Sequence, residues 1–167
     1  MNMKRLSICL LAFAFMLGVT PVWGGAQKKA DKATEQWRYE IEEINKTSKQ
    51  GTVTFKVWSY SKKENVAVSQ ASKNAVHGIL FKGYGSHAPM VSPAAEAQNE
   101  AFFEEFFKEG GGYRRFVQTT NNGAPLAGDR IKVGKEWKVG IVVIISETQL
   151  RKYLEQQGII SKLGGMF

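Results

Sequence analysis

One cysteine, Cys9, and two histidines, His77 and His87, are all that the 167 residues hold of the side chains most used for thiol chemistry and soft-metal ligation. Cys9 sits inside the apolar N-terminal run, so the chain beyond it has no thiol. That excludes disulfides, thiol catalysis and cysteine-bound metal there. Imidazole titrates near neutral pH and could serve a metal or acid–base site. No H-x-x-x-H pair or His/Asp/Glu spacing surrounds either histidine, however, and no cofactor is implied. No internal repeat is present.

The long apolar run at the start has a specific form. Lys4 and Arg5 precede Leu6–Val19 (LSICLLAFAFMLGV), and a small-residue, helix-breaking exit follows from Thr20 to Ala26. This is the three-part pattern of a cleavable secretory signal peptide, 1–26, with Gly24 and Ala26 at the −3 and −1 positions. A spanning anchor needs about 20 apolar residues, more than the run offers. Cys9 lies within the run rather than after it, which disfavours lipidation. Cleavage after Ala26 leaves 141 residues (167 minus 26), with 21 basic (23 less Lys4 and Arg5) against 15 acidic, a formal charge of +6. A core of that size can hold as one domain without disulfides. The basic surface serves solubility and would also suit an anionic glycan or lipid surface. The expected location is periplasmic or secreted, peripheral at the outer membrane if membrane-associated.

Residues 27–36 (QKKADKATEQ) are polar and without period, a flexible leader to a single domain over 37–167. Trp37, Tyr39 and Ile41 alternate with charged residues, and Thr52–Tyr60 is β-branched and aromatic; with the turn-rich 45–51 break they predict a hairpin. Val68, Ala71, Ala75, Val76, Ile79 and Leu80 recur at helical steps up to a stop at Gly83. After a Gly- and Pro-bearing loop at 82–93, Ser92 and Pro93 open a second helix, ended by Gly110, Gly111 and Gly112. Tyr113–Thr120 reads as a strand. Arg130–Val133 and Trp137–Ser146 form a hairpin whose second strand, apolar on both faces, predicts the sheet centre. Ser146 with Gln149 predicts a capping box for a last helix, 147–157. The order ββ–α–α–βββ–α predicts an α+β fold: an antiparallel sheet of about four to five strands with three helices packed mainly on one face.

Few residues offer chemistry. Gly83-Tyr84-Gly85-Ser86-His87 is glycine-rich but follows a helix, whereas phosphate-cradling loops open one. Ser86 and His87 are neighbours, which cannot generally present hydroxyl and base to one another as a triad does. Arg114 and Arg115 between Tyr113 and Phe116 mix basic and aromatic residues. Two arginines are too thin a patch for nucleic acid, and on a strand they would point to opposite faces. Phe102, Phe103, Phe106 and Phe107 make one broad helical face, expected in the core because four exposed phenylalanines would aggregate. Phe167 is not the end of an alternating strand, so it does not mark an outer-membrane barrel. The residues singled out for an interaction or ligand loop are therefore Tyr84, Ser86, His87, Arg114 and Arg115.

Two segments, Asn65–Gly83 (NVAVSQASKNAVHGILFKG) and Val139–Ile160, resemble those of uncharacterised exported proteins of Bacteroidota. The strand followed by an alanine-rich helix also resembles the small α+β envelope domains of the LPP20, FlgT N-terminal and curli-assembly CsgG type. That resemblance implies an envelope component working through protein contacts near the outer membrane, and it implies no catalytic residue. Lipid-anchored members carry a cysteine after the signal peptide, which this chain lacks. The expectation is a non-enzymatic exported protein that contacts another envelope protein or self-associates, as part of an outer-membrane or periplasmic assembly. Nucleic acid is not an expected partner. The alternative is a periplasmic hydrolase or ligand-binding protein using the 82–93 loop around His87, with Ser86, Tyr84 or Glu96.

Overall fold

A computed structural model of the chain describes residues 37–45 and 51–162. The expected export signal (1–26), the leader (27–36), most of the 45–51 break and Phe167 lie outside the described residues. The fold is α+β, built on five antiparallel strands: β1 (Tyr39–Asn45), β2 (Val53–Ser61), β3 (Val117–Thr119), β4 (Arg130–Val133) and β5 (Glu136–Ile145). The helices are α1 (Glu64–His77), α2 (Pro93–Gln98), α3 (Glu100–Phe107) and α4 (Glu147–Gln156).

The strand that is apolar on both faces is the hub. β5 pairs with β2 along nearly its whole length, from Val53↔Ile145 to Ser61↔Trp137. Its other edge pairs with β3 at the Ile145 end and with β4 at the Glu136 end. Because β3 and β4 share that edge and direction, they form one line of chain interrupted by an excursion over residues 120–129. Thr120 donates to the Val142 carbonyl at 2.9 Å and Gly140 to the Asp129 carbonyl at 2.8 Å, so the ladder closes on both sides of the excursion.

One face of the sheet carries the core. Phe55, Val57, Val139, Ile141, Val143 and Ile145 are fully buried. The helix α1 lies close to them through Ala67, Ala71 and Ala75, also fully buried, because a methyl group lets the backbone approach where a larger side chain would hold it off. Leu150 and Leu154 of α4 and Phe103, Phe106 and Phe107 of α3 join the same cluster. Phe102 is half-buried and stacks on Phe106 at 5.7 Å. Each large apolar side chain removed from water contributes about 1.5–3 kcal/mol.

Several local expectations are corrected. Trp37 precedes β1 and has a left-handed backbone (φ 44°), so the strand starts two residues later. The helix expected from Val68 to a stop at Gly83 does end there, but it starts earlier, at Glu64, and its last turn, Gly78–Lys82, is a π turn. The helix expected from Pro93 to the glycines is split at Asn99, whose side-chain amide donates to the Ala95 carbonyl at 2.8 Å and so terminates α2. Tyr113–Thr120 is not one strand: Gly112–Phe116 is a 3₁₀ turn and only Val117–Thr119 is extended. Tyr113 and Phe116, both buried, are three residues apart, and a three-residue turn puts such a pair on one side. The capping box at Ser146 does not form; the Ser146 N–H that the Gln149 side chain would accept from donates instead to the Phe116 carbonyl at 2.9 Å.

Ser92 does cap α2, accepting from the Ala95 N–H at 3.2 Å. Ser92→Ala is expected to lower stability by about 1 kcal/mol, read as a shifted urea midpoint with an unchanged slope.

Candidate functional site

The 82–93 loop turns out to be a fastening. Tyr84 and His87 exchange two backbone hydrogen bonds, 3.1 and 2.7 Å, across Gly85-Ser86. Met90 and Val91 then donate to the Ile79 and Leu80 carbonyls, laying the returning chain along the π turn. Tyr84 is buried, meets Phe55 edge-on at 4.9 Å, and donates its hydroxyl to Glu147 at 3.0 Å. Burial, and then the Glu147 carboxylate, push the phenol well above its ordinary range, so it stays a donor. The His87 ring stacks on Tyr84 at 4.5 Å and is exposed, as is Ser86. The carboxylate in this cluster is thus held by Tyr84, not by His87. Glu96 is exposed on α2.

Arg114 and Arg115 lie on the 3₁₀ turn rather than on a strand, so they do not alternate across a sheet. The Arg115 guanidinium stands 4.6 Å over the Tyr153 ring and 5.3 Å over Phe116, while Arg114 reaches the Tyr113 hydroxyl. Both serve the rim of the phenylalanine cluster and neither contacts the 84–87 turn among the bonds described.

The other histidine is internal. Tyr39 on β1 and His77 at the end of α1 meet at 2.6 Å between the phenol oxygen and Nδ1. Trp37 stacks on the imidazole, centroids 3.4 Å apart at 19°, and Phe81 and Phe107 crowd its remaining sides. Burial foremost, then the ammonium groups of Lys82 and Lys73, lower the His77 pKa to about 3. Burial pushes the Tyr39 phenol upward. Both rings are therefore neutral at ordinary pH, and a single hydrogen bond joins the phenol to Nδ1. Beside this pair, Asn74 donates to Ser59 at 2.9 Å, so α1 is tied to β1 and β2 by polar contacts within the core.

The face of the sheet away from the helices is organised differently. Lys56, Trp58 and Tyr60 alternate with the buried Phe55, Val57 and Ser59 along β2, and none of the three belongs to the core cluster. Trp58 is held at both ends. Its indole N–H donates to Glu42 on β1 at 3.2 Å, and its six-membered ring lies against Gly140 on β5. A Cβ at Gly140 would be 3.0–3.1 Å from three ring atoms, so the indole occupies the space that a side chain there would fill. Tyr60 donates to Glu40, which also accepts from Lys138 at 2.7 Å. Those two bonds, the one from Lys138 first, hold the Glu40 carboxyl below its usual range. The Lys138 ammonium lies 5.2 Å from the Trp58 centroid and 5.3 Å from that of Tyr60. At the flanks, Lys56 pairs with Asp129 at 3.0 Å and Arg38 with Glu136 at 3.0 Å. Every aromatic ring here is oriented by a polar partner.

No protein-family model, curated protein or solved structure matches the chain. The site therefore stands on its own geometry. Among the described residues, no three His, Cys, Asp or Glu side chains gather as a metal site, and no helix is long and apolar enough to cross a membrane. The Trp58 face was not singled out from the sequence. Its signal was present in two places: aromatic residues on the polar phase of the β2 alternation, and a glycine within the otherwise β-branched run of β5, a sign of close approach.

Proposed function

We propose that this is a non-enzymatic, exported protein of the cell envelope that acts by surface contact with another envelope component, through the Trp58–Tyr60 face of its sheet. The observation that carries this reading is the ordering of that face. The core is complete on the opposite side, yet Trp58 and Tyr60 are pinned by Glu42, Gly140 and Glu40 on two neighbouring strands. Rigid aromatic side chains lose little rotamer entropy on binding, which favours them as contact residues. The three-part N-terminal signal supports export, and the resemblance to small envelope domains supports a role in an assembly.

Photo-crosslinking in native cells tests the reading. p-Benzoylphenylalanine in place of Ile131, exposed and paired with Lys138 on this face, is expected to give covalent adducts; in place of Glu96 on α2 it is expected to give few. Equal yields at the two positions would count against the contact face. The protein recovered from the envelope is expected to have lost the residues before 27. Full-length mass confined to the cytosol would refute export.

A further inference from the structure

The charges on the Trp58 face say which kind of component it fits. Lys138 is paired with Glu40, Lys56 with Asp129 and Arg38 with Glu136, while Glu42 takes the indole N–H. Polyanions bind by releasing counterions to cations that are available for phosphate or sulfate, and here each cation already faces a carboxylate. An apolar protein surface would have to strip water from these pairs and leave their remaining donors and acceptors unmatched.

A neutral polyhydroxyl ligand meets neither cost. A carboxylate offers about four acceptor positions and an ammonium three donors, so each pair keeps capacity for a hydroxyl without being broken. The rings supply the other half of the fit. Trp58 rests one side of its six-membered ring on Gly140 and is anchored at its pyrrole edge, with the Lys56 and Lys138 ammonium groups 5.4 and 5.2 Å from the ring centroid. Tyr60 is two residues along the same strand, about 7 Å further. An extended ligand with apolar C–H faces and equatorial hydroxyls, running along β2, touches both rings while its hydroxyls reach Glu40, Glu42, Lys138 and Lys56.

We infer that the Trp58–Tyr60 face binds a neutral glycan chain. The inference rests on the reading of this face as the contact surface and adds the chemistry of what it contacts.

Titration of the protein with chitohexaose, cellohexaose and xylohexaose, followed by the Trp58 indole N–H resonance and by calorimetry, tests it. At least one hexaose is expected to bind, and raising the salt from about 50 to about 500 mM is expected to change the affinity less than about twofold, because no counterion is released. Trp58→Ala and Tyr60→Ala are each expected to weaken binding by about tenfold or more. Trp58→Phe keeps a ring on Gly140 and is expected to retain binding within a few-fold; it keeps the test valid should the alanine variants unfold. The inference is overturned by a lack of response to all three hexaoses at millimolar concentration, or by binding that Trp58→Ala leaves intact. It is equally overturned if affinity falls steeply with salt, as for a polyanion. If crosslinks at position 131 persist, identify a protein, and no hexaose binds, the contact face stands and the glycan does not.

Discussion

Acidifying the protein from pH 6.5 to 5 is expected to lower its free energy of unfolding by about 2 kcal/mol, and the loss is traced to His77. In the folded state burial and the nearby Lys82 and Lys73 hold this imidazole at a pKa of about 3, against an ordinary 6.5. Between those values the unfolded chain takes up a proton that the folded chain refuses, so protons favour unfolding. Stability from this group is complete above about pH 6.5 and falls by about 1.4 kcal/mol per unit on the way down to about pH 3, below which it is flat. Charging the ring would also place a cation beside two others. Urea unfolding of the native protein and His77→Gln at several pH values between 7 and 5 checks this. The variant is expected to lose most of the slope even though it is less stable throughout; an equal slope in both would refute the assignment.

Gly83→Ala is expected to be among the most damaging single substitutions, costing about 3–5 kcal/mol. The backbone there has φ 75° and ψ −175°, a region open to glycine and nearly closed to everything else. A new Cβ would also clash with the His87 carbonyl oxygen and lie 3.0 Å from the Pro89 nitrogen. These are backbone atoms held by the Tyr84–His87 hydrogen bonds, so they cannot step aside without opening the turn that seats Tyr84 against Phe55 and Glu147. Gly134→Ala separates strain from collision. Its φ is 58° and no atom lies within 4 Å of the added carbon, so a cost of about 1–2 kcal/mol is expected. Denaturant midpoints for the two variants give the comparison; similar losses would mean that the clash at Gly83 is relieved at little cost.

The architecture was legible because its signals are long and periodic. The β2 and β5 alternations, the alanine face of α1 and the Ser92-Pro93 start all predict what forms, since burial of a whole face outweighs local detail. Two of the misreadings share one cause, competition from a distant partner. Ser146 and Gln149 have the right types for a capping box, but the Phe116 carbonyl takes the Ser146 N–H that Gln149 would hold. Tyr113 and Phe116 are β-formers by type, yet both gain more by facing the phenylalanine cluster from a 3₁₀ turn. The polar sites were the least legible. Tyr39 and His77 are 38 positions apart, and nothing local marks a histidine that will be stacked under Trp37 and kept neutral. The Trp58 face needs the register of three strands before Glu40, Trp58 and Gly140 fall into line.

The position of β5 as the hub sets an order of events for a chain made from one end. β1 and β2 can close as a hairpin as soon as they emerge, but the strand that buries Phe55 and Val57 is synthesised near the end, most of the domain later. Until Glu136–Ile145 arrives β3 and β4 have no strand to pair with, β2 has only β1, and α1 has only half a floor to pack on. Such distant pairing makes for slow closure. The β1–β2 hairpin is therefore the one piece of the sheet that can form before β5 is made, and its apolar face stays uncovered until then.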